Sequence, residues 1–468
     1  MKKIVIVGCG FSGTMTAIHL IRKATCPFEL ILTGDSQSFN KGIAYHPNSN
    51  RQLLNVIASR MSAFADKPDD FTDWVLRQEE FSKADRGLLA NTYLPRYLYG
   101  QYLEEIWQET LLSSEAGKVQ IRVINALATE MDVSEKGVLL ALDNGESISA
   151  SFCVIATGNL QPANPVIQNT PFFSSPRYFR NPWDFSTIRN QGLNGPVLIL
   201  GNGLTMADTV IGLLENGFSH KIYTVSPHGF TILPHRHLGI SYSAVREELQ
   251  HISRLSDMVR IVNRHIRLAV KSGFSAEPVI DALRPLTQQL WRNLTIREKR
   301  SFLTHVRHLW DSARHRIPMH IHDMLFKLKE SGQLNQFTGK LISVSESEGE
   351  ATVVFSDTRQ NSIHELKVAA VINCTGPSTD PMKSDDCFIK TCLQNGTLIQ
   401  DELKLGLLAD PNTFEVFNRN LELQENIFIL GSLLKGVLWE STAVKELREQ
   451  AEGLAGNLVR KVEASSRC

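Results

Sequence analysis

The first thirty-five residues constrain the fold more than any other part of the chain. Lys3 to Val7 (KIVIV) is a short β-branched run of the kind buried in a parallel sheet, and Gly8-Cys9-Gly10-Phe11-Ser12-Gly13 follows without a spacer. TMTAIHLIRK then has helical spacing, and Phe28 to Thr33 is a second apolar run ending at Gly34-Asp35. Strand, G-x-G-x-x-G, helix, strand and acid in that order predict a dinucleotide-binding βαβ unit. Each glycine has a separate reason. Gly8 permits the tight turn, Gly10 lets backbone approach a pyrophosphate, and Gly13 lets the helix pack close to the strand. The N-terminal turn of the helix, with Phe11 and Ser12, offers N–H groups and partial positive charge to phosphates. Asp35 is placed to accept a hydrogen bond from a ribose hydroxyl, although it falls two residues beyond the end of that apolar run.

A second such turn lies mid-chain. Val197 to Leu200 leads into Gly201-Asn202-Gly203-Leu204-Thr205-Met206, helical spacing continues to Leu214, and Lys221 to Val225 is the next strand. The third glycine is replaced by Met206, which should loosen helix–strand packing while leaving the two phosphate-facing glycines intact. After this strand stands Ser226-Pro227-His228-Gly229, with neither the acid that favours NAD nor the Arg that favours NADP. His228, His235, Arg236 and His237 follow, of which His228 is taken as cofactor-binding, and nucleotide preference stays open. A degenerate unit that binds nothing is the competing reading.

Residues 119–158 and 336–376 form an internal repeat of short strands ending in an apolar strand and Thr-Gly, at Thr157-Gly158 and Thr375-Gly376. Small residues at such ends let the chain pass close to a cofactor. Both segments are expected to return the chain to the first domain. Asn426 to Leu430 is a last buried strand, followed by Gly431-Ser432 and a terminal helix.

The 468 residues suffice for two to four domains. Forty-nine basic and forty-nine acidic side chains cancel, which argues against a nucleic-acid or anionic-membrane binder. No apolar run is long enough for a membrane span, no signal peptide precedes the first strand, and seven scattered cysteines form no secreted disulfide framework. The expectation is a cytoplasmic α/β protein. Within it, residues 244–332 have helical spacing throughout and carry 16 Lys and Arg against 9 Asp and Glu, with 7 of the 14 histidines. That segment reads as an anion-facing lid or as a solvated helical face. Metal binding by His305, His308, His315, His320 and His322 is disfavoured by the arginines between them.

These features together resemble the two-dinucleotide-binding flavoproteins, and within them the flavin-containing monooxygenase and amino-acid N-hydroxylase branch. The sequence is most similar to the FAD-NAD(P)-binding family, through Lys41-Gly42-Ile43-Ala44-Tyr45, Leu54-Asn55-Val56, Met61-Ser62-Ala63-Phe64, Pro95 to Gly100, Gly203 to Met206, His315-Arg316 and Leu438 to Ala443. The resemblance implies two Rossmann-like domains, the second inserted in the first, plus an all-helical insert. The implied boundaries are 1–165 and 333–468 for an FAD domain, 166–243 for an NAD(P) domain, and 244–332 for the insert. It also implies FAD on the first fold and NAD(P)H on the second.

Asn55, followed by Met61 and Phe64, resembles the run that lies at the isoalloxazine ring in these monooxygenases; a turn-capping Asn is the alternative. Arg96 is a candidate for a substrate carboxylate, or else the partner of a structural acid. Ser432 stands where many relatives have an Asp near the ribityl chain, and the F-x-G-x-x-x-H signature is absent. Cys387 and Cys392 read as free thiols rather than a redox pair, and Cys9 as a small packing residue. The leading expectation is a monooxygenase using O2 and a C4a-hydroperoxyflavin to hydroxylate a small amine or amino acid. The alternatives are an NAD(P)H dehydrogenase serving a quinone or protein acceptor, and a flavin-binding redox sensor. The sequence leaves assembly into a homo-oligomer open.

Overall fold

The computed structural model describes all residues except 47–50, 115–116, 136, 168–170, 185–186, 189–190, 237–239, 348 and 467–468, so His237 lies outside the described residues. The chain forms two compact units, one of residues 1–160 and 379–468 and one of residues 161–378.

In the first unit, β1 (Lys2–Val7) leads through the glycine turn into α1 (Phe11–Lys23) and then β2 (Phe28–Gly34). β1 pairs in parallel with β2 on one side and with strand Phe152–Ile155 on the other. The six-stranded sheet runs 415–417, 423–429, 152–155, β1, β2, 119–125, antiparallel only at the 415–417 edge. Ile4 to Val7 are buried because the sheet is covered on both faces. α1 and the terminal helix Val444–Ser466 lie against one another on one side, and the three-stranded sheet of residues 128–150 touches β1 from its own layer. The chain leaves β1 toward opposite neighbours, so its C-terminal end is the topological switch point where open α/β sheets bind ligands.

His19 on α1 is 5% exposed, meets the Phe64 ring edge-on, and has no hydrogen-bond partner for Nε2. Burial lowers its pKa to about 4; Glu452 opposes the shift, and Lys23 and Arg22 add to it. The unfolded chain therefore binds the proton first as pH falls, and stability is lost from about pH 6.5 downward toward 4. Between pH 7 and pH 5, denaturant unfolding of the wild type is expected to lose about 2 kcal/mol more than unfolding of His19→Gln. Equal pH slopes for the two proteins would contradict this.

In the second unit, β3 (Val197–Leu200), α2 (Leu204–Glu215) and β4 (Ile222–Ser226) repeat the βαβ arrangement. β3 again occupies a switch point, between β4 and strand Ala370–Asn373. Beyond β4 lie the parallel start of strand Leu334–Ser347 and an antiparallel meander through 350–357 and 362–368. Thus the repeat is real but its second copy does not return to the first domain. Residues 334–373 complete the sheet of the second unit, as 119–155 complete that of the first, which moves the expected boundary at 333 to 378.

The helical segment interrupts the crossover between β4 and the 334–347 strand. Its helices include Leu255–Lys271 and α3 (Arg307–Arg314), and a two-residue strand, Arg316–Ile317, pairs with Leu233–Pro234. Arg316 is 3% exposed and meets Glu277 and Asp281, while Glu277 also accepts from the Arg236 N–H and pairs with His235. This buried cluster pins the insert to residues 233–236. α4 (Met319–Glu330), assigned to the insert by its spacing, instead packs Ile321 and Leu325 into the same core as Val197, Ile199 and Val210. It is the crossover helix of the second fold. Among the described residues no helix is long and apolar enough to cross a membrane.

Candidate active site

In the first unit the three glycines of the turn separate by what surrounds them. Gly8 has φ +105°, its N–H donates to the Thr33 carbonyl, and a Cβ there would lie 2.3 Å from the Ala156 carbonyl oxygen. A Cβ on Gly13 would lie 1.9 Å from the Gly8 oxygen. The protein's own packing therefore requires both. Gly10 is different. It is the N-cap of α1 with φ −77°, and a Cβ would meet only Gly42 Cα at 3.4 Å. The fold tolerates a side chain there; close approach by a ligand does not. The cap supplies no side-chain hydrogen bond and the first helical turn has no acid, so its N–H groups and dipole remain available to an anion.

The segment after β2 folds back over this turn. Asn40, at φ +64°, donates its N–H to the Cys9 carbonyl, and Thr14 Oγ1 lies 3.2 Å from that carbonyl and 3.3 Å from Asn40 Oδ1. Asn40 escaped the sequence reading, and its place directly before Lys41-Gly42 was the available signal. Cys9 is buried against Gly34, and burial, aided by Asp35, pushes its thiol up to about 12, which suits packing rather than reaction. β2 extends through Gly34, so Asp35 is the first residue after the strand, without the gap suggested by the apolar pattern. It is exposed, and one carboxylate oxygen accepts from the Gln37 N–H.

The strand end at Thr157-Gly158 adds a polar atom without a partner. Thr157 Oγ1 is buried and makes no hydrogen bond, whereas its counterpart Thr375 donates to Asn373 Oδ1 at 2.7 Å. Ser432 donates to the Gly158 carbonyl at 2.6 Å, and Gly431, at φ +86°, sits 3.6 Å from Ser12 Oγ as measured from its would-be Cβ. Gly8, Gly10, Ser12, Gly13, Thr157, Gly158, Gly431 and Ser432 are thus gathered at one end of the sheet. Phe11 belongs there by its backbone alone, because its ring packs among Tyr45 and Tyr99.

The Asn55 segment is only partly as expected. The Arg96 N–H donates to the Gln52 carbonyl at 2.9 Å and its Nε to the Leu53 carbonyl at 3.1 Å. Arg96 therefore holds the strand bridge leading to Asn55. Asn55 is half-buried two residues later. Met61 is 4% exposed in the main core after a short 3-10 turn. Phe64 is drawn to the flank of α1, under the Arg22 guanidinium at 4.4 Å and beside His19.

The second unit repeats the glycine logic. Gly201 has φ +104° and its Cβ would lie 2.5 Å from the Cys374 oxygen, whereas Gly203 caps α2 with nothing within 4 Å. Leu204 and Thr205 form the first helical turn, again without acid or side-chain cap. Met206 is 2% exposed and fills the core between α2 and α4, so packing is not loosened. Gly376, at φ +88°, ends a strand beside β3 and belongs to this site rather than to the first. Asn202 donates Nδ2 to Ser226 Oγ at 2.9 Å, and its Oδ1 is buried without a partner. Cys387 is exposed and Cys392 buried on one helix, both as free thiols.

Residues 5–160 match the family model described as FAD-NAD(P)-binding. The chain is 26% identical over 192 residues to the uncharacterised protein YdhS of Escherichia coli K12, covering 39% of this chain and 34% of that one. It is 26% identical over 302 residues to the nitrosuccinic acid synthase npaA of Aspergillus oryzae, covering 60% and 45%. The matched segments thus span less than half the length of either curated relative. The fold as a whole is similar to the ornithine N-hydroxylase of Kutzneria sp. 744, solved with reduced FAD, NADP+ and L-ornithine, at a TM-score of 0.66 and 13% identity over 98% of this chain and 99% of that chain. The fold class is therefore that of the two-dinucleotide-binding flavoproteins.

Proposed function

We propose that the protein is an FAD- and NAD(P)H-dependent monooxygenase that hydroxylates the nitrogen of a small amine or amino acid. The observation that carries the nucleotide half of this reading is the middle glycine of each turn: Gly10 and Gly203 have room for a side chain, while Gly8, Gly13 and Gly201 do not. A phosphate against the backbone accounts for the difference in both units. The orphaned Thr157 hydroxyl and the uncapped start of α1 fit FAD, whose pyrophosphate the Gly8–Gly13 turn would hold and whose ribose Asp35 would accept. Bound FAD supplies two-electron transfer and reaction with oxygen. Gly201, Gly203, Leu204, Thr205 and Gly376 would hold the nicotinamide nucleotide that delivers hydride. Asn55, carried on the segment that Arg96 anchors, can both donate and accept a hydrogen bond at the reacting edge.

The relatives support the nitrogen substrate. Ornithine N-hydroxylase acts on an amino acid, and nitrosuccinate has the carbon skeleton of aspartate with its nitrogen oxidised. The test is NADPH-dependent turnover of the FAD-loaded protein with L-ornithine, L-aspartate and a simple diamine, reading hydroxylamine or nitro product. Absence of any N-oxygenated product, with rapid reduction of a quinone, would replace this reading with the dehydrogenase.

A further inference from the structure

The end of β4 is where a dinucleotide fold reads the adenosine ribose of its ligand. Here that position carries a hydrogen-bonded loop and a pair of imidazoles. Ser226 Oγ accepts from both Asn202 Nδ2, in the phosphate turn, and the Gly229 N–H at 3.2 Å, so residues 226–229 are tied to that turn. The His228 ring stacks on His308 of α3 with centroids 3.8 Å apart and planes 24° apart, and the Phe230 ring lies beside both, 6.1 and 6.4 Å away. A π-helical turn, Phe302–Val306, directly precedes α3, a feature that recurs where helices serve a site.

The groups around this pair are mostly cationic. From α3 and the turn before it, Arg307, His305 and Asp311 act on His308, with Asp311 alone favouring its charged form. From the 350–368 hairpin, Arg359 Nη2 lies 3.5 Å from the Gly229 carbonyl. Burial first, then His228 and Arg307, hold the His308 imidazole below the ordinary histidine range. Two imidazoles in contact cannot both be charged cheaply. A phosphate monoester, carrying close to two negative charges at neutral pH, removes that penalty. No carboxylate stands at the end of β4 to prefer a ribose hydroxyl.

We propose that the His228–His308 pair binds the 2′-phosphate of NADPH, so that the helical insert completes the nucleotide site and coenzyme preference depends on pH. This rests on the second unit being a nicotinamide nucleotide site. NADP+ binding takes up a proton on the pair, whereas NAD+ binding does not.

The test is calorimetric titration of the FAD-loaded protein with NADP+ and with NAD+ between pH 6.5 and 8.5, each in two buffers of different ionisation enthalpy. NADP+ affinity is expected to fall about tenfold over this range, with buffer-dependent heat, while NAD+ affinity stays level. His308→Gln and, separately, His228→Gln are expected to flatten the NADP+ profile and leave NAD+ binding intact, which also shows that the variants are folded. Parallel pH profiles for the two nucleotides, or an unchanged NADP+ profile in both variants, overturn the assignment. Failure of both nucleotides to bind at any pH brings down the underlying reading of the second unit, and this proposal with it.

Discussion

Gly10→Ala is expected to fold as the wild type does and to lose at least a hundredfold in FAD affinity. Its backbone, at φ −77° and ψ −167°, is open to alanine, and the new Cβ would rest against Gly42 Cα at an ordinary 3.4 Å. On the proposed reading, it occupies the space of the pyrophosphate. Hydrogen bonds to a charged group are worth about 1.5–3 kcal/mol each, and loss of two corresponds to a hundredfold or more. Gly8→Ala is the contrast: φ +105° and 2.3 Å to the Ala156 oxygen make it a folding defect. The measurement is flavin content after gel filtration together with thermal melting of the flavin-free proteins. Gly10→Ala is expected to melt with flavin-free wild type, and Gly8→Ala well below it. Full flavin retention by a folded Gly10→Ala protein would contradict the site.

Gly203→Val is expected to do the converse. Nothing lies within 4 Å of a Cβ at Gly203, so the second unit accommodates the side chain, and the first unit keeps its flavin. The valine occupies the space over the start of α2 where phosphates would meet the backbone. Anaerobic reduction of flavin by NAD(P)H is expected to slow by on the order of a hundredfold, with reduction by dithionite unchanged. If NAD(P)H still bleaches the flavin of Gly203→Val at the wild-type rate, the nucleotide enters elsewhere.

Both folds and the glycines of both turns were legible because the βαβ signal is local. Strand, turn and helix follow one another, and their residue types report φ and packing directly. What failed was non-local. Residues 336–376 read correctly as a repeat of 119–158, but their alternation shows only that strands exist, and says nothing of which sheet they join. The same holds for α4, whose spacing defines an apolar face without naming its partner. The Asn55 run was blurred for a related reason: that Arg96 Nε meets the Leu53 carbonyl depends on how residues 52–55 return past Pro95. His308 was one of seven histidines in a basic segment, and only the fold brings it onto His228.

The claim that electrons pass from nicotinamide nucleotide through FAD into hydroxylation of a substrate is tested most directly by oxygen accounting. The FAD-loaded protein is reduced anaerobically with NADPH and mixed with oxygenated buffer, and oxygen uptake and hydrogen peroxide release are followed together. A monooxygenase shelters its activated oxygen from water, so peroxide release is expected to lag oxygen uptake by seconds in the absence of substrate. Peroxide appearing as fast as oxygen disappears, with quinones reduced faster than oxygen, would contradict the account.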